Sequence, residues 1–375
     1  MAHAVYIDHN ATTPVRPQAA AAVMAALAST GNPSSVHRHG RLVRRLVEDA
    51  RERVAALVGA APEAVVFTSG GTEANALALR STGRPRVLVS AVEHASVRDA
   101  VETAEVLPVD GDGVVDLEAL AAMLASTAVP ALVSVMLANN ETGVLQPVAA
   151  VAAVARRFGA LVHCDAVQAA GKVAVDVRHL GVHLLALSAH KIGGPAGVGA
   201  LIVEDGVALA PQRRGGGQER GRRPGTENVS GIAGFGAAAE AATAAADGAR
   251  LARLRDRWER GARELAPAAA IFGEGAARLP NTSCVAMPGV AAETQVMALD
   301  LAGISVSAGA ACSSGKVVAS AVLRAMNVDE TLAASALRVS FGWTSVEDDV
   351  DRLLEAWGGI YTRLGCDARA RAPAA

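Results

Sequence analysis

The sequence predicts an α/β protein: a large domain built on a mostly parallel sheet covered by helices, with a smaller α+β domain beside it. Three observations carry this prediction. Short apolar runs alternate with helix-like segments through the first two thirds of the chain, the pattern of strands buried on both faces. Near residue 240 the pattern and composition change. The 375 residues are enough for a large domain plus a small one. The predicted boundaries are 14–248 for the large domain and 1–13 with 249–375 for the small one.

The elements follow in order. Val43, Leu46, Val47, Ala50, Val54, Leu57 and Val58 share one helical face, and Gly59 ends that helix as a left-handed cap. Ala64 to Thr68 reads as a strand, followed by a Gly-opened helix from Thr72. Arg86 to Ser90, Leu132 to Leu137 and Leu161 to Cys164 read as further strands, with a helix from Val148 to Phe158 before the last. Leu184 to Leu187 and Gly199 to Val203 complete the series. One long helix, Ala237 to Leu265, reads as a connector with Arg and Glu on its polar face. Strands around Ser283 to Met287 and Arg338 to Phe341 belong to the small domain. The Ala/Arg tail from Cys366 reads as frayed.

A formal net charge of -2 and a pI near 6.5 point to neither nucleic acid nor an acidic membrane as partner. Met1 to Asn10 lacks a basic stretch followed by an apolar run, and no apolar run reaches the roughly 18 residues of a membrane span. A cytoplasmic protein is expected. Its four cysteines show no CxxC pairing, so free thiols are expected rather than a disulfide framework or a metal site.

Only three lysines occur: Lys172, Lys191 and Lys316. Lys191 lies just after an apolar strand, in Ser188-Ala189-His190-Lys191, before the turn Gly193-Gly194-Pro195. A lysine at the carboxyl edge of a sheet can meet a ligand there and form a Schiff base with an aldehyde cofactor. Alone, it reads as an ordinary surface lysine, since most lysines are solvated. Asp165, at the end of another strand, changes the balance. A carboxylate facing the ring nitrogen of pyridoxal phosphate keeps that nitrogen protonated, and Gln168 can bond the ring oxygen. Asp165 can also cap a helix.

Thr68-Ser69-Gly70-Gly71-Thr72-Glu73 runs from a strand through glycines into a helix, and free N–H groups at a helix start suit a phosphate. Glu93-His94 follows a strand, where a histidine can stack on a flat ring and move protons. Cys312 sits among small residues in Ser305 to Lys316, a composition that favours an exposed nucleophilic thiol. Cys164 and Cys284 lie in strand-like stretches and read as small hydrophobes. Arg338 suits an amino-acid carboxylate, with a structural ion pair as the alternative. The polar turn Arg222 to Asn228 can add a hydroxyl or a guanidinium to a phosphate.

Together these residues resemble the cysteine desulfurases of the NifS/IscS group, in the class V branch of fold-type I pyridoxal-phosphate enzymes. The resemblance runs from Tyr6-Ile7-Asp8-His9-Asn10-Ala11-Thr12-Thr13-Pro14 to about Trp343. It includes Gly31-Asn32-Pro33-Ser34-Ser35, Gly71-Thr72-Glu73, Glu93-His94 and Asn139-Asn140-Glu141-Thr142-Gly143. It continues with Asp165 and Gln168, Ser188-x-His190-Lys191, Arg223-x-Gly225-Thr226 and the Cys312 loop.

The resemblance implies a pyridoxal 5'-phosphate enzyme that converts L-cysteine to alanine and leaves a persulfide on Cys312. Lys191 then carries the cofactor, and His94 stacks on its ring and assists proton transfer. Asp165 pairs with the ring nitrogen and Gln168 with the ring oxygen. Gly71, Thr72, Ser188 and His190 bind the phosphate, and Thr226 reaches the phosphate of the neighbouring subunit in a homodimer. Asn140 contacts cofactor or substrate, and Arg338 binds the cysteine carboxylate. The implied partner is a sulfur-acceptor protein such as an iron–sulfur scaffold, or thio-cofactor assembly. Where the family loop often reads SSGSACTS, this chain has Ser307-Ala308-Gly309-Ala310-Ala311-Cys312-Ser313-Ser314, a change that keeps every residue small. An aminotransferase or selenocysteine lyase of the same class, or a binding protein that lost turnover, are the rival readings.

Overall fold

The computed structural model describes residues 4–245, 247–308, 312–313, 316–317 and 320–365. Its centre is a seven-stranded sheet. In spatial order the strands are Val65–Thr68, Gly199–Val203, Leu184–Ser188, Leu161–Asp165, Ala131–Ser134, Arg86–Ser90 and Glu105–Leu107. All run parallel except Gly199–Val203, which is antiparallel to both neighbours.

Successive residues of these strands feed two different cores, as the pleat requires. Val65, Phe67, Leu185 and Leu187 pack into one with helices Arg38–Leu57 and Val229–Ala245. Val66, Leu184 and Ala186 pack into the other with helix Gly71–Ser81. Both faces are dry, so the strands read as unbroken apolar runs rather than alternating ones.

A separate core lies in the C-terminal part. Strands Ser307–Ala308, Ala336–Ser340, Thr282–Ala286 and Ala270–Ile271 form an antiparallel sheet. Helices Gly248–Leu265 and Glu347–Ile360 meet through Trp258 and Trp357, edge to face at 5.4 Å between ring centres. The N-terminal strand Val5–Tyr6 pairs in parallel with Ile304–Ser305, and Val5 and Ile7 join this core.

The single connector helix expected over 237–265 is two helices, Val229–Ala245 and Gly248–Leu265, with the chain turning at Asp247. The first is a core helix that packs closely on its neighbour: a side chain at Gly236 would lie 2.6 Å from the Ala50 backbone. The second carries Arg253, Arg260, Arg263 and Glu264 outward and buries Leu251, Leu254, Trp258 and Glu259. One straight helix could not serve both cores. Cys164 and Cys284 are buried in strands.

Candidate functional site

The parallel strands end at one edge of the central sheet, and the chemistry collects there. Leu184–Ser188 runs into a short turn, Ala189–Lys191, that lifts Lys191 over the edge. Lys191 Nζ donates to the carbonyl oxygens of Asn10 at 2.5 Å and Ala11 at 2.7 Å. Burial lowers its pKa to about 8, and the positive Arg338 adds to this, against Asp8 and Asp165.

Asp165 is the last residue of the neighbouring strand and is buried. Its Oδ1 accepts from the Val167 N–H at 2.9 Å, closing a turn, and its Oδ2 accepts from Asn75 Nδ2 at 2.7 Å. The local turn role and the site role thus fall on different oxygens of one carboxylate. Asn75 Nδ2 also donates to Ser96 Oγ at 2.9 Å. The Ser96 hydroxyl and backbone N–H in turn face His94 Nδ1 at 2.8 and 3.1 Å. An N–H donor at Nδ1 leaves the proton of the neutral ring on Nε2. His94 has its pKa lowered, mainly by loss of solvent around the ring, while Asp165 pulls the other way. The Glu93 carboxyl, beside it, accepts from the Met136 N–H at 2.6 Å; burial first, then Asp165, raises its pKa well above the usual carboxyl range.

Gln168 is held on both ends. Its Oε1 accepts from Lys172 Nζ at 2.7 Å and its Nε2 donates to Asn10 O at 2.9 Å. Lys172 also donates to Asn10 Oδ1 at 2.8 Å, and burial drives its pKa well below the usual lysine value. Gln168 therefore turns its amide N–H side toward the carbonyl that also holds Lys191.

The Gly70–Gly71–Thr72 turn opens helix Gly71–Ser81, whose start has no side-chain cap. A side chain at Gly71 would lie 2.9 Å from Val167 Cγ2, so the close approach requires glycine. Thr72 is exposed, and Ser188 is buried at the end of its strand. His190 Nδ1 lies 3.2 Å from Thr12 Oγ1, and burial lowers its pKa to about 4.

Arg338 comes from strand Ala336–Ser340 of the smaller sheet. Its Nη2 donates to Asp8 Oδ1 at 2.8 Å and its Nη1 to the Asn140 carbonyl at 3.1 Å, while the buried Nε has no partner. The ion pair is real, and it engages only part of the guanidinium. Asn140 contributes its carbonyl oxygen, which also accepts from Asn10 Nδ2 at 3.2 Å. Thr226 is exposed, on a loop tied by Arg223 to Glu73 at 3.0 Å. Cys312–Ser313 pairs with Lys316–Val317 as an antiparallel hairpin, and the Cys312 side chain lies outside the described residues.

These groups fit pyridoxal phosphate. An uncapped helix start with a glycine approach suits its phosphate. Asp165 is a buried carboxylate that receives only neutral N–H donors, leaving its charge for a ring N–H⁺. The amine lies between them at the same sheet edge. The Arg338 guanidinium, not fully used by Asp8 and Asn140, suits a substrate carboxylate.

Sequence reasoning missed Asn10, Asn75, Ser96 and Asp8 as parts of the site. Asn10 and Asp8 stand in the N-terminal motif and Asn75 three residues after Thr72, but their roles depend on contacts far apart in the chain. Lys172 carried a signal in being one of only three lysines. Among the described residues, no helix is long and apolar enough to cross a membrane.

The aminotransferase class-V family matches residues 5–353. A cysteine desulfurase of Cereibacter sphaeroides is 47% identical, over 96% of each chain. An IscS-like cysteine desulfurase of Mycobacterium tuberculosis is 40% identical, over 98% of this chain and 99% of its own. The solved NifS-like protein from Rickettsia africae superposes with a TM-score of 0.90 at 34% identity, over 96% of this chain and all of that one.

Proposed function

The chain belongs to the class-V aminotransferase family, among its cysteine desulfurases, and on that premise we propose how its residues divide the work. It is a pyridoxal-phosphate enzyme that releases sulfur from cysteine. The cofactor, when bound, supplies an electron sink for the charge left when the substrate loses its Cα proton.

Lys191 is the amine that would attach the cofactor. Gly71, Thr72, Ser188 and His190 would hold its phosphate, with Thr226 supplied across a homodimer. Asp165 would keep the ring nitrogen protonated, Gln168 would donate to the ring oxygen, and His94 would lie against the ring face. Arg338 and Asn140 would take the carboxylate of L-cysteine. The observation that carries this reading is that Lys191 and Asp165 stand at the carboxyl ends of two adjacent parallel strands, at one sheet edge, where burial lowers the Lys191 pKa to about 8. An amine that is substantially neutral near pH 8 can take the Cα proton.

Cys312 Sγ, as thiolate, would form a bond to the substrate sulfur while the substrate's Cβ–S bond breaks. The pair of electrons from that bond stays with the carbon fragment, which takes up protons and leaves as alanine. Cys312 keeps the persulfide. We assign 14–248 to the large domain and 1–13 with 249–375 to the small one, a division that the separate cores support. The persulfide would pass to an acceptor protein in the cytoplasm, for iron–sulfur or thio-cofactor assembly.

The test is sulfide and alanine production from L-cysteine with a reductant present. Equal amounts of both, lost on Cys312→Ala, support the reading. Alanine transamination by a keto acid without sulfide, or turnover of selenocysteine alone, would overturn it.

A further inference from the structure

Glu219 and Arg220 have left-handed backbone, with φ of 46° and 56°, and Gly221 continues the run at 75°. Neither Glu nor Arg is a residue type that tolerates this conformation easily, so the surroundings must impose it. A loop that merely closed a gap between elements would need no such run.

The constraint is visible at the Glu219 carboxylate, which is buried. Oε1 accepts from Arg51 Nη2 at 2.9 Å; Oε2 accepts from Arg51 Nη1 and from the Phe67 N–H, each at 2.9 Å. Arg51 is buried as well. Its Nη1 also donates to the Val65 carbonyl at 2.9 Å, its Nε to Glu48 at 3.1 Å, and its guanidinium lies 4.8 Å from the centre of the Phe67 ring. One bidentate pair therefore joins helix Arg38–Leu57, strand Val65–Thr68 and the 217–226 loop.

That strand runs straight into Ser69–Gly70–Gly71–Thr72. A second link reaches the same turn from the loop's far end. Arg223 Nε donates to Glu73 Oε1 at 3.0 Å, and Glu73 Oε2 accepts from the Ser69 N–H at 2.5 Å. Within the loop, the Gly225 N–H donates to Gln218 Oε1 at 3.1 Å. Thr226 follows directly.

We propose that Glu219, held by Arg51, is a positioning residue for the cofactor phosphate: it fixes the 217–226 loop to the Phe67–Thr72 segment so that Thr226 is presented from a rigid base. This rests on reading Thr72 and Thr226 as phosphate ligands. In the homodimer proposed above, Thr72 serves its own subunit's phosphate and Thr226 the neighbour's, so one carboxylate sets half of each site.

The experiment compares the binding of pyridoxal phosphate and of pyridoxal, which lacks the phosphate, to the apoprotein. Glu219→Gln breaks the charge pair; should that variant fail to fold, Arg51→Met combined with Glu219→Gly removes the clamp and the left-handed strain together and leaves no buried guanidinium unpaired. Folding is checked by apoprotein melting. Weakening of pyridoxal phosphate binding by about tenfold, the loss of a charged hydrogen bond, with pyridoxal binding unchanged, is the expected result. Equal weakening of both ligands, or of neither, in a folded variant overturns the proposal. Thr72→Ala separates the two levels. If Thr72→Ala loses the preference for the phosphorylated ligand while the Glu219 variants keep it, the phosphate reading stands and the clamp proposal fails. If all keep it, the phosphate reading fails too.

Discussion

Lys191 Nζ sits 2.5 Å from the carbonyl oxygen of Asn10, so the amine at the edge of the large sheet is held by the N-terminal segment. Two carbonyls favour its ammonium form, yet burial and Arg338 bring its pKa down to about 8. Below that pH the amine is protonated and does not attack an aldehyde; above it the free amine does. Capture of pyridoxal phosphate by the apoprotein should accelerate with pH, with a midpoint near pH 8. Because Arg338 lowers this pKa, Arg338→Met should move the midpoint upward. Stopped-flow absorbance from about pH 6 to 10 measures both; a flat profile, or a downward shift in the variant, contradicts the argument.

Asn75 is buried, and its Nδ2 spends its donors on Asp165 and Ser96. Asn75→Ala leaves the Asp165 carboxylate with one donor and frees Ser96 from the chain that orients His94. The expected cost is about 1–3 kcal/mol in stability, with cofactor affinity reduced on the order of tenfold. Urea denaturation and cofactor titration measure the two effects. Unchanged affinity would mean that Asp165 is held without Asn75.

Cys312→Ala should lower sulfide release by at least about a thousandfold, as removal of a nucleophile does, and leave cofactor absorbance intact. Release of sulfide at the unaltered rate would remove Cys312 from the reaction.

The fold was legible where both faces of a strand are dry, since Leu184–Ser188 and Leu161–Asp165 need apolar residues at every position. Strand direction was not: Gly199–Val203 is buried along its whole length like the parallel strands, yet runs antiparallel to both of its neighbours. Nor does composition announce the break at Asp247, because each helix follows a different core. At the sheet edge, the places of Lys191 and Asp165 were readable because strand ends locate them. Asn10, Asn75 and Lys172 were not assigned roles, since those roles arise only when segments distant in sequence meet. The Glu219–Arg51 clamp is hidden for the same reason, and because left-handed backbone at Glu leaves no compositional trace.

Ser320 ties the helix after the Cys312 hairpin to the large sheet's loop. Its Oγ donates to Glu141 Oε2 at 2.6 Å and accepts from the Leu323 N–H at 3.0 Å, so one hydroxyl is both a helix cap and a partner for a carboxylate. Burial raises the Glu141 pKa to about 7, while Ser320 and Arg338 hold it down. A carboxyl whose pKa rises on folding takes up protons, so its contribution to stability is lost as pH rises from the unfolded value toward 7. Removing the hydroxyl takes away one restraint, raises the Glu141 pKa further, and extends that loss above pH 7. Ser320→Ala should therefore cost about 1–2 kcal/mol near neutral pH or above from the cap and the charged bond together, and less in mild acid, where Glu141 is neutral in either protein. Denaturant titrations on the two sides of pH 7 separate the contributions. An equal cost at both would assign the whole effect to the helix cap and none to Glu141.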